Sequence, residues 1–195
     1  PSAIRDAGPD SWGQRVILAR HSGHLTRDSD TGALGPLTFL LEPGSNRIGA
    51  LDFQARPDTY VHRGGEATLE QLVSAAEALD AGESLPEDLG EGLVRGTSIG
   101  GARPKALITD GRRHFVAKFA SATDAYPVVK AEALGMLLAN AAGVDVPDVE
   151  LTRAMGRDVL LVERFDRTAT HGQRRQRVSA LTILGLDEMM GRYAT

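Results

Sequence analysis

Lys118 stands in the β-prone run His114 to Phe119, flanked by Val116, Ala117 and Phe119. An ammonium in such a run is costly to bury unless a negative group meets it. The helical segment that follows carries Glu132 on the side it shares with Val129 and Met136, three residues before and four residues after it. A strand lysine held by a helix carboxylate is placed to meet phosphate oxygens. The plainer alternative is a surface ion pair, worth about 0–1 kcal/mol. Upstream, Gly96 to Lys105 adds Ser98, Ile99, the adjacent Gly100 and Gly101, Arg103 and Lys105. A loop short of Cβ atoms lets backbone N–H groups approach an anion, and two cations downstream suit phosphate. It is not a Walker A loop. Gly96 and Gly101 have that spacing, but Ala102 and Arg103 follow in place of Lys-Ser/Thr, and GxGxxG is absent as well. An ordinary glycine-rich connector is the competing reading.

Two other constellations compete. Gly96-Thr97-Ser98-Ile99-Gly100 matches G-x-S-x-G, and Asp166 and His171 follow in Ser…Asp…His order, as in a serine hydrolase. That elbow needs a buried strand before the serine and a helix after it. Here acidic residues, Gly90 and Gly92 precede it, and Pro104 and a strand follow. His21-x-x-His24 with Asp28 and Asp30 imitates a metal cluster but offers no strong third ligand, so a solvated loop is expected. His62 and His114 have no partner visible in the sequence.

The elements that must position these groups can be read in chain order. Asp10 or Ser11 caps a helix expected to run to about Arg20, with Trp12, Val16 and Ala19 on one face. Residues 22–36 read as a loop. Leu37–Leu41 and Arg47–Phe53 read as two strands around Pro43-Gly44-Ser45-Asn46, followed by a loop at 56–67. Thr68-x-x-Gln71 is a capping box that opens a helix to Leu79, with the stripe Leu69, Leu72, Val73, Ala76 and Leu79; Gly82 ends it. A short acidic helix is expected at Pro86–Leu93. Ala106–Thr109 and His114–Phe119 form a hairpin about Asp110-Gly111. A helix from Val128 to Ala142 follows, with Pro127 near its first turn and Gly143 as its stop. Its buried side is read as Leu134, Leu137, Leu138 and Ala141. Val149–Thr152 and Val159–Val162 are strands around Met155-Gly156-Arg157. Thr168–Gln176 is a basic loop, and Ser179–Met190 a helix. There is no internal repeat.

Composition sets the bounds. The chain has 195 residues, enough for one domain or two small ones, and its core is aliphatic, with only 5% aromatic residues. The formal net charge of -4 makes a large nucleic-acid surface of its own a poor expectation. Absence of cysteine excludes disulfides and thiolate metal sites. No apolar run approaches the ~20 residues of a membrane span and no signal peptide is visible, so a cytoplasmic protein is expected.

Taken together, the second half resembles the HipA-like serine/threonine kinases of bacterial toxin–antitoxin modules. Ser98–Ala106 (SIGGARPKA), Val116–Phe119 (VAKF), the helix bearing Glu132, Ala141–Leu151 (AAGVDVPDVEL), Leu160–Arg167 (LLVERFDR) and Ser179–Gly185 (SALTILG) carry the likeness in order and spacing. Pro9–Arg15 and Arg47–Phe53 match the region before the kinase core less sharply. The resemblance implies an α+β fold: a kinase-like N-lobe, an antiparallel sheet with a helix, over 86–195, preceded by a partial HipA-type subdomain over 1–85. It further implies that ATP, with Mg²⁺, binds between lobes. Lys118 would contact phosphates and Glu132 would hold it. The backbone of Glu163, Arg164 and Phe165 would meet adenine as a hinge, and Ser98 would be autophosphorylated in a mobile loop shared with Ile99, Gly100, Gly101 and Lys105. The γ-phosphoryl group would pass to a serine or threonine of a protein substrate. A helix-turn-helix antitoxin would be the partner and would carry any DNA contact. The family's catalytic and metal-binding aspartates lie downstream of the Ser179–Gly185 motif. The chain is therefore expected to be an internal piece of a larger kinase, inert by itself, with no catalytic residue or metal ligand of its own. A non-catalytic antitoxin-binding module is the alternative.

Overall fold

A computed structural model describes residues 2–22, 32, 34–64, 68–81, 83, 94, 105–120, 124–168 and 173–191. Its centre is one antiparallel sheet. Strands β1 (Lys105–Asp110), β2 (Arg113–Phe119), β3 (Val149–Ala154) and β4 (Arg157–Glu163) lie in the order β1-β2-β4-β3. Each connection inside the β1-β2 and β3-β4 pairs is a two-residue turn. Gly111 (φ 59) serves the first, where only a glycine adopts the left-handed region at little cost. Between the pairs runs the helix Val128–Ala141, which returns the chain to the far edge. The fold is α+β, as expected.

The register sorts side chains into two faces. Ala106 opposes Ala117, Ala117 opposes Leu161, and Phe119 opposes Val159. These residues, with Ala154, make the larger core with Trp12, Val16 and Ile17 of one helix and Val73 of another. On the other face Lys118 opposes Leu160, and Val116 and Val149 both oppose Val162. There Leu160 packs against Val129 and Ala133 of the 128–141 helix. Full burial of a leucine such as Leu160 contributes about 1.5–3 kcal/mol.

Among the described residues, the helices α1 (Ser2–Arg5), α2 (Ser11–Ser22), α3 (Pro36–Leu41) and α4 (Leu69–Ala81) come before the sheet. Asp10 caps α2, its Oδ1 accepting from the Gly13 N–H at 2.8 Å. Trp12, Val16 and Ala19 are buried as the spacing predicts. The capping box closes as expected: the Thr68 N–H donates to Gln71 Oε1 at 2.8 Å, and the Gln71 N–H donates to Thr68 Oγ1 at 3.2 Å. The helix over 128–141 is α5. After the sheet come α6 (Ala180–Leu184) and α7 (Glu188–Gly191).

Four expectations are corrected. Leu37–Leu41 is not a strand but part of α3, which Pro36 opens at its first turn; proline's fixed φ suits that position. Arg47–Phe53 is irregular, not a strand. Its shape is set by the buried Arg47 guanidinium, which donates to the carbonyls of Ala7, Leu40 and Pro43 and to Asp52. Leu134, Leu137, Leu138 and Ala141 are exposed rather than buried; α5 turns Val129 and Ala133 inward. The helix expected over 179–190 is two, because Gly185 (φ 67) ends α6. Gly82 and the helix expected at 86–93 lie outside the described residues. The expected boundary between 85 and 86 falls in that stretch too. Among the described residues no helix is long and apolar enough to cross a membrane.

Candidate functional site

Lys118 and Glu132 meet. The Lys118 Nζ donates to Glu132 Oε1, and both side chains are about one-third exposed. Two physical facts make the pair. Even positions of β2 face α5, so Lys118 shares a face with Val116 and opposes Leu160. On α5, Glu132 follows the buried Val129 by three residues and precedes the half-buried Met136 by four. Its carboxylate thus borders the sheet face while its tip reaches water. The pair is open enough to admit a ligand and close enough to the core to be held in one place.

Lys105 departs from its expected setting. It is the first residue of β1 rather than part of the preceding loop, and it is directly opposite Lys118 in the register. Only 3% exposed, its ammonium lies 3.0 Å from Asp10 Oδ2 and 5.6 Å from the centre of the Trp12 ring. Burial holds its pKa below the ordinary lysine value; Asp10 opposes that shift and the charge of Lys118 adds to it. Ser98, Ile99, Gly100, Gly101 and Arg103 lie outside the described residues.

The segment expected to be a hinge leaves β4 tied on both sides. The Glu163 N–H donates to the Asp148 carbonyl at 2.8 Å, and the Arg164 N–H to the His114 carbonyl at 2.8 Å. The Glu163 and Arg164 amides are thus both engaged within the protein. The Glu163 side chain turns outward to Arg113 at 2.8 Å. The Phe165 ring is exposed, whereas Arg164 is buried.

Arg164 belongs to a cluster that sequence reasoning missed. Its guanidinium meets both oxygens of the fully buried Asp166, at 2.9 and 2.7 Å. Arg167 donates to Asp166 Oδ2 at 2.8 Å, and so does the Gly49 N–H at 2.6 Å. Both arginines also reach the Asn46 side chain and the Arg47 carbonyl. Burial alone would raise the Asp166 pKa, but the two arginines and the Gly49 amide outweigh it and hold the carboxyl below its usual range. Burial and the neighbouring Arg164 push Arg167 down to about 10, against the pull of Asp166. Gly49 sits at φ 74, and a Cβ there would come within 3.3 Å of Arg177. The only signal in the sequence was the density of charge in Glu163–Arg167, and nothing in it points 117 residues back to Gly49.

This geometry removes the support for a hydrolase triad, since Asp166 is enclosed by arginines; Ser98 and His171 lie outside the described residues. His114 does have a partner, Thr109 Oγ1 at 3.2 Å from its Nδ1. Among the described residues no group of three or more His, Asp or Glu is placed to hold a metal ion. His24, Asp28 and Asp30 are outside them.

No curated protein matches the chain. The sequence model of one family, described as the HipA-like C-terminal domain, matches residues 97–195. That span takes in the whole sheet, α5, the Lys118–Glu132 pair and, of the Asp166 cluster, Arg164, Asp166 and Arg167 but not Asn46, Arg47 or Gly49. It also covers just over half of the residues, and the chain accordingly belongs to the HipA-like C-terminal domain family.

Proposed function

We propose that this chain forms the nucleotide-holding lobe of a HipA-like serine/threonine protein kinase, cytoplasmic and acting within a toxin–antitoxin module. The observation that carries the reading is the Lys118–Glu132 pair on the α5 side of the sheet. A strand lysine held by a helix glutamate is the device by which protein kinases orient an ammonium toward the α- and β-phosphates of ATP. Membership of the family supports the same reading. In it, Lys118 binds phosphate and Glu132 keeps the lysine from folding back on the sheet. Ser98 to Gly101 cover the phosphates, with Ser98 open to autophosphorylation, and Glu163–Phe165 border adenine. ATP would supply the phosphoryl group. Mg²⁺ finds no ligand set among the described residues. The partners in this proposal are a protein substrate and a helix-turn-helix antitoxin that makes any DNA contact.

The test is Lys118→Met. It keeps the aliphatic stem and removes the charge, and because the pair is partly exposed its loss costs at most about 1 kcal/mol of stability. Calorimetry of the folded variant with ATP and Mg²⁺ should show binding lost or weakened at least tenfold. Wild-type affinity in Lys118→Met would sink the assignment.

A further inference from the structure

Asp10 does two things at once. Its Oδ1 caps α2 through the Gly13 N–H at 2.8 Å, and its Oδ2 holds the Lys105 ammonium at 3.0 Å. Ninety-five residues separate the two partners, so the contact joins the start of α2 to the first residue of the edge strand β1. Lys105 is opposite Lys118 across the β1-β2 ladder. Two ammonium groups on neighbouring strands, one held by Glu132 and the other by Asp10, suit a ligand with several negative charges. The carboxylates differ in reach. Glu132 is about one-third exposed, whereas Asp10 and Lys105 are both nearly closed off from water.

We infer that Asp10 is a positioning residue that stores Lys105 away from the phosphate site, and that a bound nucleotide draws Lys105 from Asp10 to its phosphates. This rests on the reading of the Lys118 site as a phosphate site. A buried ammonium does not leave one carboxylate unless another anion replaces it; a polyphosphate beside Lys118 is such an anion. The exchange has a consequence for the rest of the molecule. Asp10 anchors α2, and Trp12 of α2 lies in the main core. Nucleotide binding is thereby felt by the segment that precedes the sheet. It is also visible, because Trp12 is the chain's one tryptophan and the Lys105 ammonium lies 5.6 Å from its ring.

The experiment titrates the 195-residue chain with ATP and Mg²⁺, following heat and Trp12 fluorescence together. In wild type the fluorescence change should track the calorimetric curve, and it should be absent in Lys105→Met. Asp10→Asn keeps the Oδ1 cap and removes the competing charge, so it should bind about three- to tenfold more tightly, the penalty of a stored conformation having been lifted. Asp10→Ser, also a good cap, repeats the test if the asparagine variant folds poorly. Binding that is calorimetrically clear in wild type but silent at Trp12 would overturn the exchange. So would Asp10 variants that bind no more tightly than wild type. In both cases binding that still depends on Lys118 leaves the nucleotide reading standing. Absence of any binding by wild type removes both.

Discussion

Met155 is the one described non-glycine residue at positive φ, at 50°, and Gly156 follows at 78°. Together they form the two-residue β3-β4 connection, the geometry of a type I′ turn, which matches the twist of paired strands. Gly156 takes that region freely, but for a methionine it costs roughly 1 kcal/mol. What Met155 gains in return is small: it is exposed, and its sulfur accepts a 3.4 Å bond from Ser74 Oγ. Asparagine tolerates the left-handed region better, so Met155→Asn should stabilise the chain by about 0.5–1 kcal/mol, read as a higher urea midpoint with unchanged slope. A lower midpoint would mean that the contact with α4 outweighs the turn. The same scale shows what sequence could reveal of the site. Lys118 and Glu132 were legible because one lies in an apolar strand and the other on the next helix, 14 residues on. Lys105 was not, because its environment is made by Asp10 and Trp12 from a remote helix. A pairing of that separation leaves no local period or motif.

At the scale of elements, α5 shows where patterning fails. It is apolar on most of its circumference, so the leucine stripe at 134, 137, 138 and 141 competes with Val129 and Ala133 for the core. The sheet chooses the smaller residues, because Leu160 already fills the space beneath them and a close helix approach favours short side chains. Strands were easier to read: four β-prone runs with Asp-Gly and Met-Gly turns gave both hairpins, short by one to two residues at some ends. The run at Leu37–Leu41 misled because its leucines suit a helix as well as a strand, and Pro36 decides for the helix. Two substitutions separate the faces of α5. Leu160→Ala, which empties the space under Val129 and Ala133, should cost about 2–5 kcal/mol. Leu137→Gln, on the exposed stripe, should change stability by no more than about 0.5 kcal/mol. Chemical denaturation of both variants checks the order; a costly Leu137→Gln would mean that the stripe is covered in solution.

At the scale of the molecule, carboxylates tie segments that are distant in sequence. Asp166 joins the exit of β4 to the Asn46–Gly49 turn through Arg164, Arg167 and the Gly49 amide. Asp52 acts more locally, binding Arg47 and Arg63, 5 and 11 residues away. Asp6 accepts from the N–H and hydroxyl of Ser179 and from Thr182, fastening α1 to the start of α6. In all three, burial would raise the pKa but hydrogen bonds and nearby arginines prevail, and the folded value lies below the ordinary one. Such groups stabilise the fold fully above the unfolded carboxyl pKa of about 3.9, and that contribution is lost as pH falls through their folded values. Urea midpoints should therefore change little on account of these groups between pH 7 and 5 and fall steeply below about pH 4, each carboxyl that takes up a proton only on unfolding adding about 1.4 kcal/mol per pH unit. Asp166→Asn leaves Arg164 and Arg167 buried without their counter-charge, so it should cost about 3–5 kcal/mol at pH 7. With one fewer carboxylate to protonate, its stability should also fall less steeply in acid than that of wild type. An Asp166→Asn protein with wild-type stability at pH 7 and an unchanged acid slope would show that the two arginines, and not the carboxylate between them, hold the exit of β4 to the Asn46–Gly49 turn.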